Sequence, residues 1–144
     1  MDCGKTHKVT SSPESTYRLG KKFTERLKGD ENLMLCGELG AGKTTFIQGL
    51  GKGLNIRERI ISPTYQLIKT YPEENSVLTH VDLYRIEGPK EAWGLDWPEI
   101  LSSETVTVVE WANRVEALWP EGSLVIKIDV ISKLERKISI FERQ

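Results

Sequence analysis

Residues 37 to 44 read Gly37-Glu38-Leu39-Gly40-Ala41-Gly42-Lys43-Thr44, a complete G-x-x-x-x-G-K-[ST] phosphate-binding loop. An apolar run, Asn32-Leu33-Met34-Leu35-Cys36, precedes it as a buried strand would. In the segment that follows, Phe46, Ile47, Leu50 and Leu54 share one helical face. Strand, glycine-rich turn and helix together are the setting such a loop requires. Glycines at 37, 40 and 42 let successive backbone N–H groups turn inward toward an anion. The positive end of the following helix adds to that attraction. Glu38, Leu39, Gly40, Ala41, Gly42 and Thr45 supply the cradle around the phosphates. Lys43 is placed to reach the β- and γ-phosphates, and the Thr44 hydroxyl to ligate Mg²⁺.

The chain has 144 residues, which suggests one domain. Its 20 basic and 21 acidic side chains nearly balance, giving a net charge of −1. That balance argues against tight, unaided nucleic-acid binding by phosphate neutralisation. Two basic clusters, Lys21-Lys22 with Arg26 and Lys28, and Lys133 with Arg136 and Lys137, read as solvated faces. The two cysteines, Cys3 and Cys36, make neither a disulfide framework nor a zinc site. No apolar stretch is long enough to span a bilayer and no signal-peptide core is present, so a cytoplasmic chain with no membrane partner is expected.

Around the loop the pattern alternates. Residues 1–8 read as a tail able to stay disordered, with an edge strand around Val9. Ser11-Ser12-Pro13-Glu14 starts a helix, either with Ser12 as N-cap and Pro13 first, or with Ser11 and Glu14 as a capping box. Leu19, Phe23 and Leu27 continue it until Gly29-Asp30. Tyr65–Tyr71 and Val77–Asp82 read as strands of an antiparallel hairpin turning at 72–76. Short helices carry Trp93 and Trp97. Val106–Val109, Leu124–Val130 and Ile138–Phe141 are further strands. The result is an α/β fold: a single P-loop NTPase domain whose mixed parallel and antiparallel sheet is flanked by helices.

Two carboxylates end apolar strands, Asp82 and Glu110, and ligands of α/β sheets bind outside the carboxyl ends of strands. Either can be the acid that completes a Mg²⁺ site. Thr64, in Ser62-Pro63-Thr64-Tyr65, lies where nucleotide switches keep a γ-phosphate-sensing hydroxyl, and equally where a loop joins a strand. His80 reads as a structural strand residue. Trp111 reads as core or as a cover for a nucleotide.

The segments Gly37–Phe46, Ser62-Pro63-Thr64-Tyr65, His80-Val81-Asp82-Leu83-Tyr84-Arg85 and Val109-Glu110-Trp111, in this order, resemble the bacterial TsaE family. These are small P-loop ATPases of tRNA threonylcarbamoyladenosine (t6A) biosynthesis. The resemblance spans about residues 10–140. It implies weak, Mg²⁺-dependent ATP hydrolysis, switched on by the threonylcarbamoyl-transferase TsaD with its paralogue TsaB. The base modified is the adenosine beside the anticodon in tRNAs reading ANN codons, with tRNA reached through that complex. It further implies that Thr44 and Glu110 hold Mg²⁺ and that Asp82 is the essential acid. Thr64 would sit in a switch loop. Ser12, Pro13 and Lys133 would border the adenine of ATP or ADP, with Trp111 near the nucleotide. Family members commonly carry proline after the Glu-Trp pair, where this chain has Ala112.

Two other readings share the phosphate loop. A small-molecule P-loop kinase needs an acceptor pocket and an arginine-bearing lid, for which Arg57 and Arg59 come too early. A nucleotide-gated interaction module with negligible turnover would not need Asp82, Glu110 and Thr64 together. The chain lacks the Asn-Lys-x-Asp motif of guanine-reading proteins.

Overall fold

The computed structural model describes residues 5–38, 40–63, 67–101 and 104–143. Leu39 and Thr64, both proposed site residues, lie outside the described residues, as do Tyr65 and Gln66 of the expected hairpin strand.

Seven strands form one sheet in the order β1-β7-β6-β2-β5-β4-β3. They are β1 (Thr6–Thr10), β2 (Asn32–Gly37), β3 (Ile68–Pro72), β4 (Val77–Asp82), β5 (Val106–Glu110), β6 (Leu124–Val130) and β7 (Arg136–Glu142). β2 pairs in parallel with β5 and β6, and β4 in parallel with β5. The β3–β4, β6–β7 and β1–β7 pairs are antiparallel. The expected mixed sheet is therefore present, with β2, the strand that feeds the phosphate loop, at its centre. β3 is an edge strand and ends on Pro72, a position where the missing N–H is tolerated. β1 begins at Thr6, inside the segment read as a tail, and pairs with β7 from there.

Alternation along the strands divides the core in two. Leu33, Leu35, Val106, Val108, Ile126 and Ile128 face one side, where Phe46, Ile47 and Leu50 of α2 (Lys43–Gly53) and Phe23 of α1 (Pro13–Phe23) cover them. Met34, Cys36, Val109 and Val125 face the other side. There they meet Ala92 of α3 (Pro89–Trp93), Trp97 of α4 (Trp97–Leu101), and Ala112 and Val115 of a 3-10 helix at Ala112–Leu118. That 3-10 helix carries no clear periodic signal in the sequence.

α1 starts as one of the two expected patterns. Ser12 is the N-cap, Pro13 opens the helix, and the capping box closes between Ser12 and Ser15. Glu14 instead pairs with Arg18 one turn on. Past Phe23 the helix tightens to a 3-10 turn at Thr24–Arg26 and stops before Gly29.

α1 and α2 touch backbone to backbone. A Cβ on Gly49 would lie 2.1 Å from the Tyr17 carbonyl oxygen, and one on Gly20 would lie 2.3 Å from that of Phe46. In an isolated helix alanine is favoured over glycine by about 1 kcal/mol. Here the clash wins. Gly49→Ala is expected to lower folding stability by about 1–3 kcal/mol in chemical denaturation. An unchanged midpoint would contradict this close approach.

Candidate functional site

The phosphate loop leaves β2 at Gly37 and enters α2 at Lys43. Gly40 and Gly42 have φ of 79° and 99°, which side chains other than glycine rarely adopt. Lys43 is almost buried. Its Nζ donates to the Gly37 carbonyl and, at 3.0 Å, to that of Glu38. It also stands 3.8 Å from the centre of the Trp111 ring. Burial pulls the Lys43 pKa below its usual value, while the carboxylates of Glu110 and Asp82 push it back up.

The sheet delivers the two carboxylates to the same place. Leu78, His80 and Asp82 alternate along β4, and Val106, Val108 and Glu110 along β5, so all six side chains point to the α2 face. Asp82 pairs directly with Glu110 in the parallel register. Both line a cleft of about 510 Å³ together with the loop, Ser62 and Trp111.

A hydrogen-bonded chain crosses this cleft. Ser62 Oγ donates to Glu110 Oε2 at 3.0 Å and lies 3.1 Å from Thr44 Oγ1. A serine has one hydroxyl hydrogen, so in this arrangement Thr44 is the donor to Ser62. The Thr44 lone pairs then remain available to a cation. Among the described residues no three His, Cys, Asp or Glu side chains form a metal-holding cluster. A divalent ion at this site would rely on Thr44, Glu110, phosphate oxygens and water, a donor set that suits Mg²⁺.

Asp82 Oδ1 accepts the Tyr84 N–H at 2.9 Å. Burial raises the Asp82 pKa above its ordinary 3.8, and the Glu110 charge adds to the rise. The Tyr84 N–H, His80 and Lys43 oppose it. A carboxyl that binds its proton more tightly when folded costs stability as pH climbs above its unfolded pKa. The Asp82→Asn variant is therefore expected to be at least as stable as the parent at neutral pH. Its advantage in thermal denaturation should grow as pH rises above 3.8. A less stable variant with no pH trend would contradict this.

Trp111 follows Glu110 in the left-handed region, with φ of 59°, an uncommon conformation for a bulky residue. The turn brings its ring under Lys43 Nζ and within 5.1 Å of the guanidinium of Arg114. Tyr84 packs beside it in a tilted pair, 5.2 Å between centres and 53° between planes. Ala112, in place of the family's common proline, is buried at the first position of the 3-10 helix.

A second, smaller cavity of about 160 Å³ adjoins the loop. Ser12 and Pro13 from the start of α1, and Lys133 and Leu134 from the β6–β7 turn, line it beside Gly42 and Thr45. The structure thus brings Ser12, Pro13, Lys133, Gly40, Ala41, Gly42 and Thr45 together; Glu38 stands on the Lys43 side of the loop. Arg136 ties this turn to the loop. Its Nε donates to the Ala41 carbonyl at 3.1 Å, and its Nη1 to the carbonyls of Ser132 and Glu135 at 2.9 and 3.0 Å. In the sequence Arg136 reads as part of a solvated face, and Ser62, Tyr84 and Arg114 carry no role of their own. Ser62 stands in the Ser-Pro-Thr segment, the signal that could have found it. A larger cleft, about 980 Å³, lies elsewhere, between Leu54–Ile60 and Glu73–Ser76. It is an open groove of mixed charge, in which Glu73 accepts from the Arg57 N–H.

Fold and site together define an α/β domain of the phosphate-loop class, with a central parallel strand feeding the loop and two carboxylates facing it. The family model described as threonylcarbamoyl adenosine biosynthesis protein TsaE matches residues 10–138. The chain belongs to the TsaE family. Proteins named tRNA threonylcarbamoyladenosine biosynthesis protein TsaE are 32% identical over 137 residues in Aquifex aeolicus, covering 94% of this chain and 95% of that one. In Bacillus subtilis the relative is 39% identical over 130 residues, covering 90% and 81%. In Nostoc it is 45% identical over 106 residues, covering 71% and 65%. The crystal structure of Bacillus subtilis YdiB superposes with a TM-score of 0.81 at 34% identity, over 97% of this chain and 86% of that one.

Proposed function

We propose that this chain is the ATP-binding and ATP-hydrolysing component of the machinery that makes threonylcarbamoyladenosine in tRNA. In this reading it is slow alone and is activated by the TsaD–TsaB transferase complex in the cytoplasm. The names of its relatives support the pathway. No helix among the described residues is long and apolar enough to cross a membrane. The observation that carries the nucleotide reading is the convergence of Lys43, Thr44, Asp82 and Glu110 on one cleft beside the phosphate loop.

The roles follow from chemistry. Loop N–H groups and Lys43 bind the phosphates. Thr44 and Glu110 would hold Mg²⁺, which when bound would supply positive charge against the phosphates. Asp82 faces the same phosphates and orients groups around them. Ser12, Pro13 and Lys133 border the adenine. Thr64 acts in the switch segment that follows Ser62.

Glu110→Ala tests this reading. The concentration of Mg²⁺ needed for half-maximal enhancement of ADP binding is expected to rise by about 10-fold or more, taking as a floor the cost of losing an outer-shell partner. Affinity in EDTA should change little. Equal losses with and without Mg²⁺ would make Glu110 a structural strand end and move the metal role to Asp82.

A further inference from the structure

Glu110 has a neighbour that the proposed function leaves unused. His80 is fully buried on β4, two residues before Asp82 on the same face of the sheet. Its Nε2 lies 2.6 Å from Glu110 Oε2. It reaches this oxygen diagonally, because its direct register partner on β5 is Val108. A ring nitrogen this close to a carboxylate oxygen carries hydrogen, so Nε2–H donates to Oε2. The other nitrogen, Nδ1, is buried without a hydrogen-bond partner among the described residues.

That combination is costly for a residue that only fills space. Leu78 and Val108, on the same face of the sheet, do the same packing without a polar atom. What the imidazole adds is one directed bond. Oε2 therefore receives two donors, His80 and Ser62, while Oε1 accepts no hydrogen bond from the described residues. The carboxylate cannot turn without breaking both bonds.

We infer that His80 is a positioning residue: it fixes Oε2 of Glu110 so that Oε1 is presented to the metal of the proposed site. This rests on the reading of Glu110 as a metal anchor. His80 acts through Glu110 and touches neither metal nor nucleotide.

The test compares ADP binding by calorimetry in EDTA and across a Mg²⁺ series, for the parent, His80→Leu, His80→Gln and Glu110→Ala. His80→Leu is expected to raise the Mg²⁺ requirement about 10-fold, the scale seen when a ligand loses its outer partner. Affinity in EDTA should stay within about twofold of the parent, since no phosphate contact is touched. His80→Gln can place its amide nitrogen near the position of Nε2, so it should recover most of the loss. Where the leucine variant does not fold by circular dichroism, His80→Asn, too short to reach Oε2, replaces it against His80→Gln. An unchanged Mg²⁺ requirement in the leucine variant, alongside a shifted one in Glu110→Ala, overturns the inference and leaves the metal reading standing. So does a glutamine variant as impaired as leucine, or a loss equal in EDTA and Mg²⁺. If Glu110→Ala itself leaves the Mg²⁺ requirement unchanged, the metal reading of Glu110 fails and takes this inference with it.

Discussion

Adding the TsaD–TsaB pair to this chain is expected to raise its ATP turnover by about 10³-fold or more, the range in which a missing cationic group slows phosphoryl transfer. The reason lies in what faces the cleft. Its described lining includes Lys43, Thr44, Asp82 and Glu110 but no arginine and no glutamine. Two arginines beside the site are already committed. Arg114 donates to the carbonyls of Tyr84 and Ile86, and Arg136 to those of Ala41 and Gly40. Gln48 donates to the Ile60 carbonyl. Among the described residues lining this cleft, Lys43 is thus the one cation that could meet charge developing on a phosphoryl group. A partner that donates a cation, or that orders the segment after Ser62, supplies the difference. Turnover is measured with the purified chain, then with the pair at increasing ratio. Fast turnover by the chain alone, unchanged by the pair, would favour a free-standing ATPase.

Lys43→Ala is expected to weaken ATP binding by about 1.5–3 kcal/mol, the worth of a charge-assisted contact, or about 10- to 150-fold. The fold should survive. Burial already disfavours the charged lysine, as its lowered pKa shows, so removing the charge relieves a cost while it removes a function. Its two hydrogen bonds go to carbonyls at the mouth of the loop rather than to the core. Calorimetry reads the affinity and urea denaturation the stability. Parent-like binding would refute the phosphate-loop reading; loss of the folded state would show Lys43 to be structural.

The features legible in the sequence are those that depend on local pattern. The loop motif, the apolar run of β2 and the face of α2 follow from neighbouring residues. Strand alternation puts His80, Asp82 and Glu110 on the faces where they occur, because period 2 needs no knowledge of tertiary structure. The order of the strands does need it. Nothing between residues 106 and 130 states that β5 and β6 flank β2 on opposite sides. The same limit explains Arg136, whose bonds to Gly40 and Ala41 join residues almost a hundred positions apart. It also explains His80, whose apolar strand setting reads as packing until β5 brings Glu110 beside it. Trp111 was ambiguous between core and cover because its place depends on a left-handed backbone at one residue, for which tryptophan carries no signal. The start of α1 had two consistent caps, and only the backbone at Ser12 selects between them.

The most direct test of a nucleotide site at the phosphate loop is an amide NMR titration of the labelled chain with MgADP. The largest shifts are expected at Gly40–Thr45, Glu110 and Trp111, with smaller ones at Ser12, Glu14 and Lys133. Shifts confined to the larger groove between Leu54–Ile60 and Glu73–Ser76, or none at saturating ligand, would contradict it.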